Sequence, residues 1–258
     1  MLVTWIETSC DAAFNDGSDG PAAVPGRGLV LPAPLPPPAV QRIMSAAGPQ
    51  AQPPSARHSP YPGVVSPDAP LQGTASLRVL STGYLGRRFA STVTFVRDGA
   101  ALIVVNPGMV TDIESILGPL RQLGVRPAAV TDVVLLAARP AHIVNAALFP
   151  GARLHDATAV YQNDRKARRL ADRFLVSPSV RLIETPGHHP EDLTLLVATP
   201  RGIVAVTHLW SSRSDGAEWP PDGDPDTLRR AKTRVLGVAS RIVPAHGAAF
   251  RAGPDTPV

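Results

Sequence analysis

The sequence predicts an α/β fold in which one sheet packs on another with helices outside, preceded by a disordered arm. Three observations predict it. Residues 1–75 hold 14 of the 29 prolines. From Ser76 onward the chain changes to alternating, β-type apolar segments joined at Gly and Asp-Gly. Those segments form two strand-rich groups, each followed by helical stretches, and apolar faces of that kind are buried by stacking layers.

The arm includes LPAPLPPPAV and PQAQPPSARHSPYPG. Proline has no N–H to offer a ladder, and a stretch so poor in periodic aliphatic residues cannot offset its ordering entropy. A polyproline ligand for a partner's aromatic groove is the alternative use of it. The opening MLVTWIETSCD lacks a basic leader and a long apolar core, so neither a secretory signal nor a membrane anchor is expected, and a cytoplasmic location is. Cys10, the single cysteine, can form no internal disulfide. Of 25 basic and 21 acidic residues, three and five lie in the arm, which leaves 22 and 16 and a charge of +6 on the body. Only Lys166 and Lys232 are lysines; a solvated, arginine-rich surface is the plain account, with anionic partners the functional one.

The body, 76–258, reads in order. LRVLSTGYLG, FASTVTFVRDG and AALIVVNPG are strands. TDIESILGPLRQLGV is a helix with Thr111 or Asp112 as cap and Ile113, Ile116, Leu117, Leu120 and Leu123 on one face. VTDVVLLA is a buried strand, and HIVNAALFP a short helix closed by Pro150. NDRKARRLADRFL is predicted as a basic helix. VRLIETPG, LTLLVATP and GIVAVTHLW are strands, DTLRRAKTRVLGVASR a helix, and IVPAHGAAF a last strand running into a loop. His142, His188, His208 and His246 fall at strand ends or in the loops that follow, where a rigid sheet positions side chains and a loop exposes them.

Five short motifs, in order, resemble the metallo-β-lactamase fold family over residues 76 to about 252: VVNPGM the D-x-G turn, RPAHIVNAALFP the H-x-H-x-D-H loop, TPGHHPEDL the T-P-G-H-T segment, VAVTHLW the strand ending in a metal-bridging aspartate, and VPAHGAAF the final P-G-H-G turn. The resemblance implies a four-layer αββα sandwich. It also implies a metal-binding loop that has lost most of its ligands. The first two histidine positions fall on Ala137 and Arg139, the aspartate on Ala141, and only His142 remains. His188 matches the third ligand of one metal position, His142 and His246 match the other, the bridging aspartate falls on His208, and the turn aspartate on Asn106.

Members of this family use one or two zinc ions to activate water and polarise a carbonyl or phosphoryl group. With Ala141 at the carboxylate position and a permanent cation at Arg139, the resemblance implies at most one zinc ion, or none. At about 4 Å and an effective dielectric near 20, Arg139 and a divalent ion repel by on the order of 8 kcal/mol before the side chain swings away. His142, His208 and His246 are the expected ligands of a single ion, with His188 a further ligand. His188 and His208 are the candidate catalytic groups, and Arg139, Asn106 and Trp210 the candidate substrate-binding residues. The function implied is weak or absent hydrolysis of a small ester, lactone or thioester. Two other readings stand beside it: a pseudoenzyme that holds an anionic ligand or partner on Arg139 and the histidines, and a nucleic-acid-binding, nuclease-like relative using the basic helices. Aromatics make up 5% of the chain, few platforms for base stacking, so a small molecule or anion is the expected partner rather than nucleic acid or membrane. Each histidine serving only as a strand-end hydrogen-bonding group is the bland account of the same residues. Trp219 is predicted to sit on a flap over the pocket. No G-x-S-x-G, P-loop or G-x-G-x-x-G motif occurs.

Overall fold

The structure is a computed structural model that describes residues 70–213 and 224–258. The proline-rich stretch over 1–69 with Cys10, and the loop carrying Trp219, lie outside the described residues.

Two sheets form the middle of the molecule. The first holds seven strands in sequence order: β1 (Ser76–Ser81), β2 (Val93–Asp98), β3 (Ala101–Val105), β4 (Asp132–Val134), β5 (Arg153–His155), β6 (Ala159–Gln162) and β7 (Arg165–Arg168). Its neighbours are antiparallel except β3–β4 and β4–β5, which are parallel. The second holds β8 (Leu175–Ser177), β9 (Val180–Glu184), β10 (Leu193–Thr199), β11 (Gly202–Thr207), β12 (Arg241–Pro244) and β13 (Phe250–Arg251), with only β11–β12 parallel. Helix α1 (Glu114–Gln122) and the single turn α2 (Pro140–Ile143) follow strands of the first sheet, and α3 (Pro225–Leu236) follows β11.

Strand alternation sorts the apolar side chains into layers. Along β3, Ile103 and Val105 enter the core between the sheets while Val104 points to the α1 side. Along β10 and β11, Leu195, Val197, Val204 and Val206 face the inter-sheet core, whereas Leu196 and Ala205 pack under α3 with Ala231, Val235 and Ile242. Ile116 and Leu120 of α1 are fully buried on Phe95, Val104 and Val133. The predicted αββα order is therefore observed. Each fully buried Leu, Ile or Val contributes about 1.5–3 kcal/mol to it. Ile113 and Leu123, assigned to the same apolar face of α1, lie about 40% and 37% exposed at its two ends. Ile113, not Thr111 or Asp112, is the N-cap residue of α1 and caps it with no side-chain hydrogen bond; Asp112 Oδ1, one residue earlier, accepts from Glu114 N at 3.0 Å.

One predicted element changes type. NDRKARRLADRFL is no helix: its Arg165–Arg168 form β7, antiparallel to β6, with Tyr161 opposite Lys166 and Gln162 opposite Arg165. Ala167, Leu170, Ala171 and Phe174 do recur at helical spacing, but Leu170 is 84% exposed while Ala171 is buried. Two facts decide for the hairpin. Asn163 takes a left-handed φ of 53° that makes a tight two-residue turn, and the ladder to β6 satisfies backbone groups that a helix there would leave on an open sheet edge. The sequence reading also passed over β5, β6 and β8, each only three or four residues long.

Residues 70–75, placed with the arm from sequence, join the body where they are described. Ala75 lies in the inter-sheet core, and Ala75 N donates to Ala198 O at 3.2 Å. Beside it Asp98 gathers Thr74 Oγ1, Ser177 Oγ, Ser179 Oγ and Ser179 N within 2.6–3.0 Å, pinning the two sheets at one end. Burial opposes ionisation of Asp98, but these hydrogen bonds outweigh it and hold its pKa below the ordinary carboxylate value. At the opposite end, Leu193 N donates to Leu136 O and Thr92 N to Ala245 O, again joining sheet to sheet. Here the chain leaves β3, β4, β9, β11 and β12, and the histidines collect. Among the described residues no helix is long and apolar enough to cross a membrane.

Candidate metal centre

Asn106 ends β3 with φ 50°, a left-handed conformation that Asn tolerates better than most residues. Its Oδ1 accepts from Leu136 N at 2.8 Å and its backbone N–H donates to Val134 O, so the ends of β3 and β4 are bonded through one residue. Only 2% of Asn106 is exposed; the structure gives it a strand-joining role instead of a place on the cleft surface. The Pro107–Gly108 turn that follows supports α2. Ala141 O accepts from Met109 N at 2.9 Å, Pro107 O from Asn145 N at 2.8 Å, and Gly108 O from Asn145 Nδ2 at 2.6 Å. A Cβ at Gly108 would collide with Ala141 O, so only glycine permits this approach.

His142 rides on α2 at the foot of the cleft, fully buried. His208 follows the last residue of β11, His246 lies two residues beyond β12, and His188 sits in the turn after β9. Their rings meet. The His142 and His208 centroids are 4.9 Å apart, edge to face; His188 and His208 are 5.1 Å apart, His142 and His246 5.7 Å, and His208 and His246 5.8 Å. His142, His208 and His246 each offer a ring nitrogen, and these atoms lie within 4.8 Å of one another. The four histidines picked from the sequence thus share one mouth.

The surroundings set their protonation. Burial pushes the His142 pKa down to about 2, with His208, His246 and Arg139 adding to the effect. Burial likewise pushes His246 to about 4, against a raising contribution from its bond to Ala90 O and with His208 and Arg139 lowering it further. Both are neutral at physiological pH, the form a metal requires. His246 Nδ1–H donates to Ala90 O at 2.9 Å, which directs Nε2 inward, and the Phe89 ring lies 4.6 Å from the imidazole. Neither ring nitrogen of His142 has a hydrogen-bond partner among the described residues.

Arg139, half-buried, precedes α2 and lines a cavity of about 390 Å³ with Ala138, His189, Pro190, Glu191 and Asp192. Trp210 does not reach the cleft. Its indole is fully buried on the α3 side, donates from Nε1 to Pro257 O at 2.7 Å and carries Lys232 Nζ over its ring, so the structure assigns it to packing where the sequence suggested substrate contact. Ala137 and Ala141 are buried small side chains that offer an ion nothing.

Asp192 is the cleft residue that sequence reasoning passed over. It is 2% exposed; Oδ2 accepts from His189 N at 3.0 Å and lies 3.4 Å from His208 Nδ1. An acidic residue at the threshold of the largely apolar run LTLLVA was the available signal, since a buried carboxylate there needs a partner.

The residues present fit a metal ion. Three imidazoles, one on α2 and two in the loops after β11 and β12, are an ordinary donor set for zinc and for other divalent metals, and a fully buried imidazole with two nitrogens unpartnered among the described residues is hard to account for otherwise.

No protein-family model matches this chain. It is 30% identical over 194 residues to metallo-beta-lactamase domain-containing protein 1 of Xenopus laevis, a match covering 68% of this chain and 81% of that protein. Among solved structures, a Thermotoga maritima protein of metallo-beta-lactamase type superposes with a TM-score of 0.56 at 20% identity, covering 69% of this chain and 99% of that one. A second protein, solved in a di-iron-bound form, gives 0.51 at 17% identity over 67% and 95% of the two chains.

Proposed function

The chain belongs to the metallo-β-lactamase-fold family, and on that premise we propose that it is a hydrolase-like protein holding a single divalent ion on His142, His208 and His246. One observation carries the reading: among the described residues both ring nitrogens of buried His142 lack a hydrogen-bond partner, beside two further imidazoles whose donor atoms lie within 4.8 Å. Zinc is the first candidate; the di-iron form of a structural relative favours testing iron beside it. A divalent ion bound here supplies Lewis acidity toward a carbonyl or phosphoryl oxygen and a water made more acidic.

The chain's own residues do the rest. His142 and His246 are kept neutral by burial and so need shed no proton to serve as donors. His188, its ring 5.1 Å from that of His208, is the group placed to complete the donor set or to hand a proton to a leaving group. Arg139 supplies a positive charge at the cavity wall that suits the carboxylate or phosphate of an incoming small molecule. Because the donor set is neutral and Arg139 repels a second cation, one ion is the limit, and turnover of an ester, lactone or thioester is slow.

A second reading draws on Arg139's place on the 390 Å³ cavity: a pseudoenzyme that retains an anion without hydrolysing it. Elemental analysis of the full chain, purified without added metal, separates the two. About one equivalent of zinc or iron, lost in His142→Ala and in His246→Ala, together with turnover on an ester and lactone panel, supports the first. A metal-free protein whose unfolding midpoint ignores chelator, and whose binding of inorganic phosphate is lost in Arg139→Ala, supports the second.

A further inference from the structure

Imidazole coordinates as an uncharged ligand, so an ion held by His142, His208 and His246 keeps its whole charge in a buried place unless something beyond the donors balances it. Asp192 is the carboxylate in contact with this cluster. Its position is fixed from several sides: its N–H donates to His189 O at 3.2 Å, its carbonyl accepts from Thr185 N at 3.0 Å, and Oδ2 accepts from His189 N. The turn over Thr185–Asp192 is thereby closed on itself, and the carboxylate is aimed at the Nδ1 side of His208, 3.4 Å away. The rings of its two companions, His142 and His246, have their centroids 4.9 and 5.8 Å from that of His208.

We infer that Asp192 is a positioning residue that acts through His208: it holds the imidazole with the proton on Nδ1 and the lone pair on Nε2, and lends the neutral donor set a buried negative charge. A carboxylate on the outer nitrogen of a ligating histidine does both jobs, fixing the tautomer and making the inner nitrogen a better donor. The inference rests on the single-ion reading above, and the turn geometry also explains why it is Asp192 and not its neighbour Glu191. Asp192 is buried and bonded to the backbone, whereas Glu191 is exposed on the cavity rim.

The test measures the zinc dissociation constant of the full chain by chelator competition in wild type, Asp192→Asn, His208→Ala and the double variant. Asp192→Asn should weaken zinc about ten- to hundredfold, and the same substitution in the His208→Ala background should change it little, because the effect passes through the imidazole. Equal affinity in wild type and Asp192→Asn overturns the inference while leaving the ion site standing. An equal loss with and without His208 also overturns it, and returns Asp192 to supporting the turn. If wild type binds no zinc or iron, the ion site itself fails and the inference with it. A measurement without metal keeps the tautomer open to refutation even if a variant does not fold: nitrogen-15 spectra of histidine-labelled wild type should show His208 protonated on Nδ1, and protonation on Nε2 overturns the proposal.

Discussion

A fully buried imidazole with both nitrogens unbonded, as at His142, costs the metal-free protein about 1–3 kcal/mol for each unmet group. On the single-ion proposal, such a residue is tolerated for what it binds. His142→Leu should therefore leave the metal-free chain as stable as wild type or more so, by about 1 kcal/mol in denaturant unfolding, while abolishing metal uptake. A clear loss of stability would mark His142 as a packing residue. Asp98 behaves in the opposite way. It satisfies four donors from Thr74, Ser177 and Ser179, and Asp98→Ala strands them, at a cost of about 3 kcal/mol. Its folded-state pKa lies below the ordinary value of 3.8. The unfolded chain thus takes up the proton first, so this contribution is complete above about pH 4 and lost as pH falls through the folded value. Stability profiles of wild type and variant should run parallel at neutral pH and converge in acid.

At the scale of elements, the Pro107–Gly108 turn and α2 form one unit, because Met109 N and Asn145 N and Nδ2 bond across the gap that glycine leaves. Gly108→Ala pushes against Ala141 O and, one residue on, displaces His142. We expect a loss of about 2 kcal/mol in stability and at least about a tenfold fall in metal affinity, read by denaturant titration and chelator competition on the same sample. Elements whose own pattern matched their surroundings were legible: β3, β10 and β11 are apolar runs because both of their faces are covered. The hairpin of β6 and β7 was not. Its residues favour helix by composition and spacing, and what overrides them is a ladder to a strand the sequence gives little sign of, together with the left-handed Asn163.

For the whole molecule, the candidate centre was readable because four histidines each followed a recognisable apolar strand, and strands of stacked sheets bring such ends together. Less visible were the residues that act by burial. Trp210, two residues after His208 and past the end of β11, turns to the α3 side. Asp192 declares itself only once His208 stands beside it. The four histidines come from both halves of the sandwich: His142 follows the first sheet, and His188, His208 and His246 belong to the second. An ion shared by residues 142 and 246 would act as a rivet through the seam between the sheets. By loop-closure arithmetic for a cross-link, tying off a segment of about 100 residues removes on the order of 4–5 kcal/mol of unfolded-chain freedom. Loss of the ion would therefore be felt first as a splitting of the two halves at this rim, while the far rim stays pinned by Asp98.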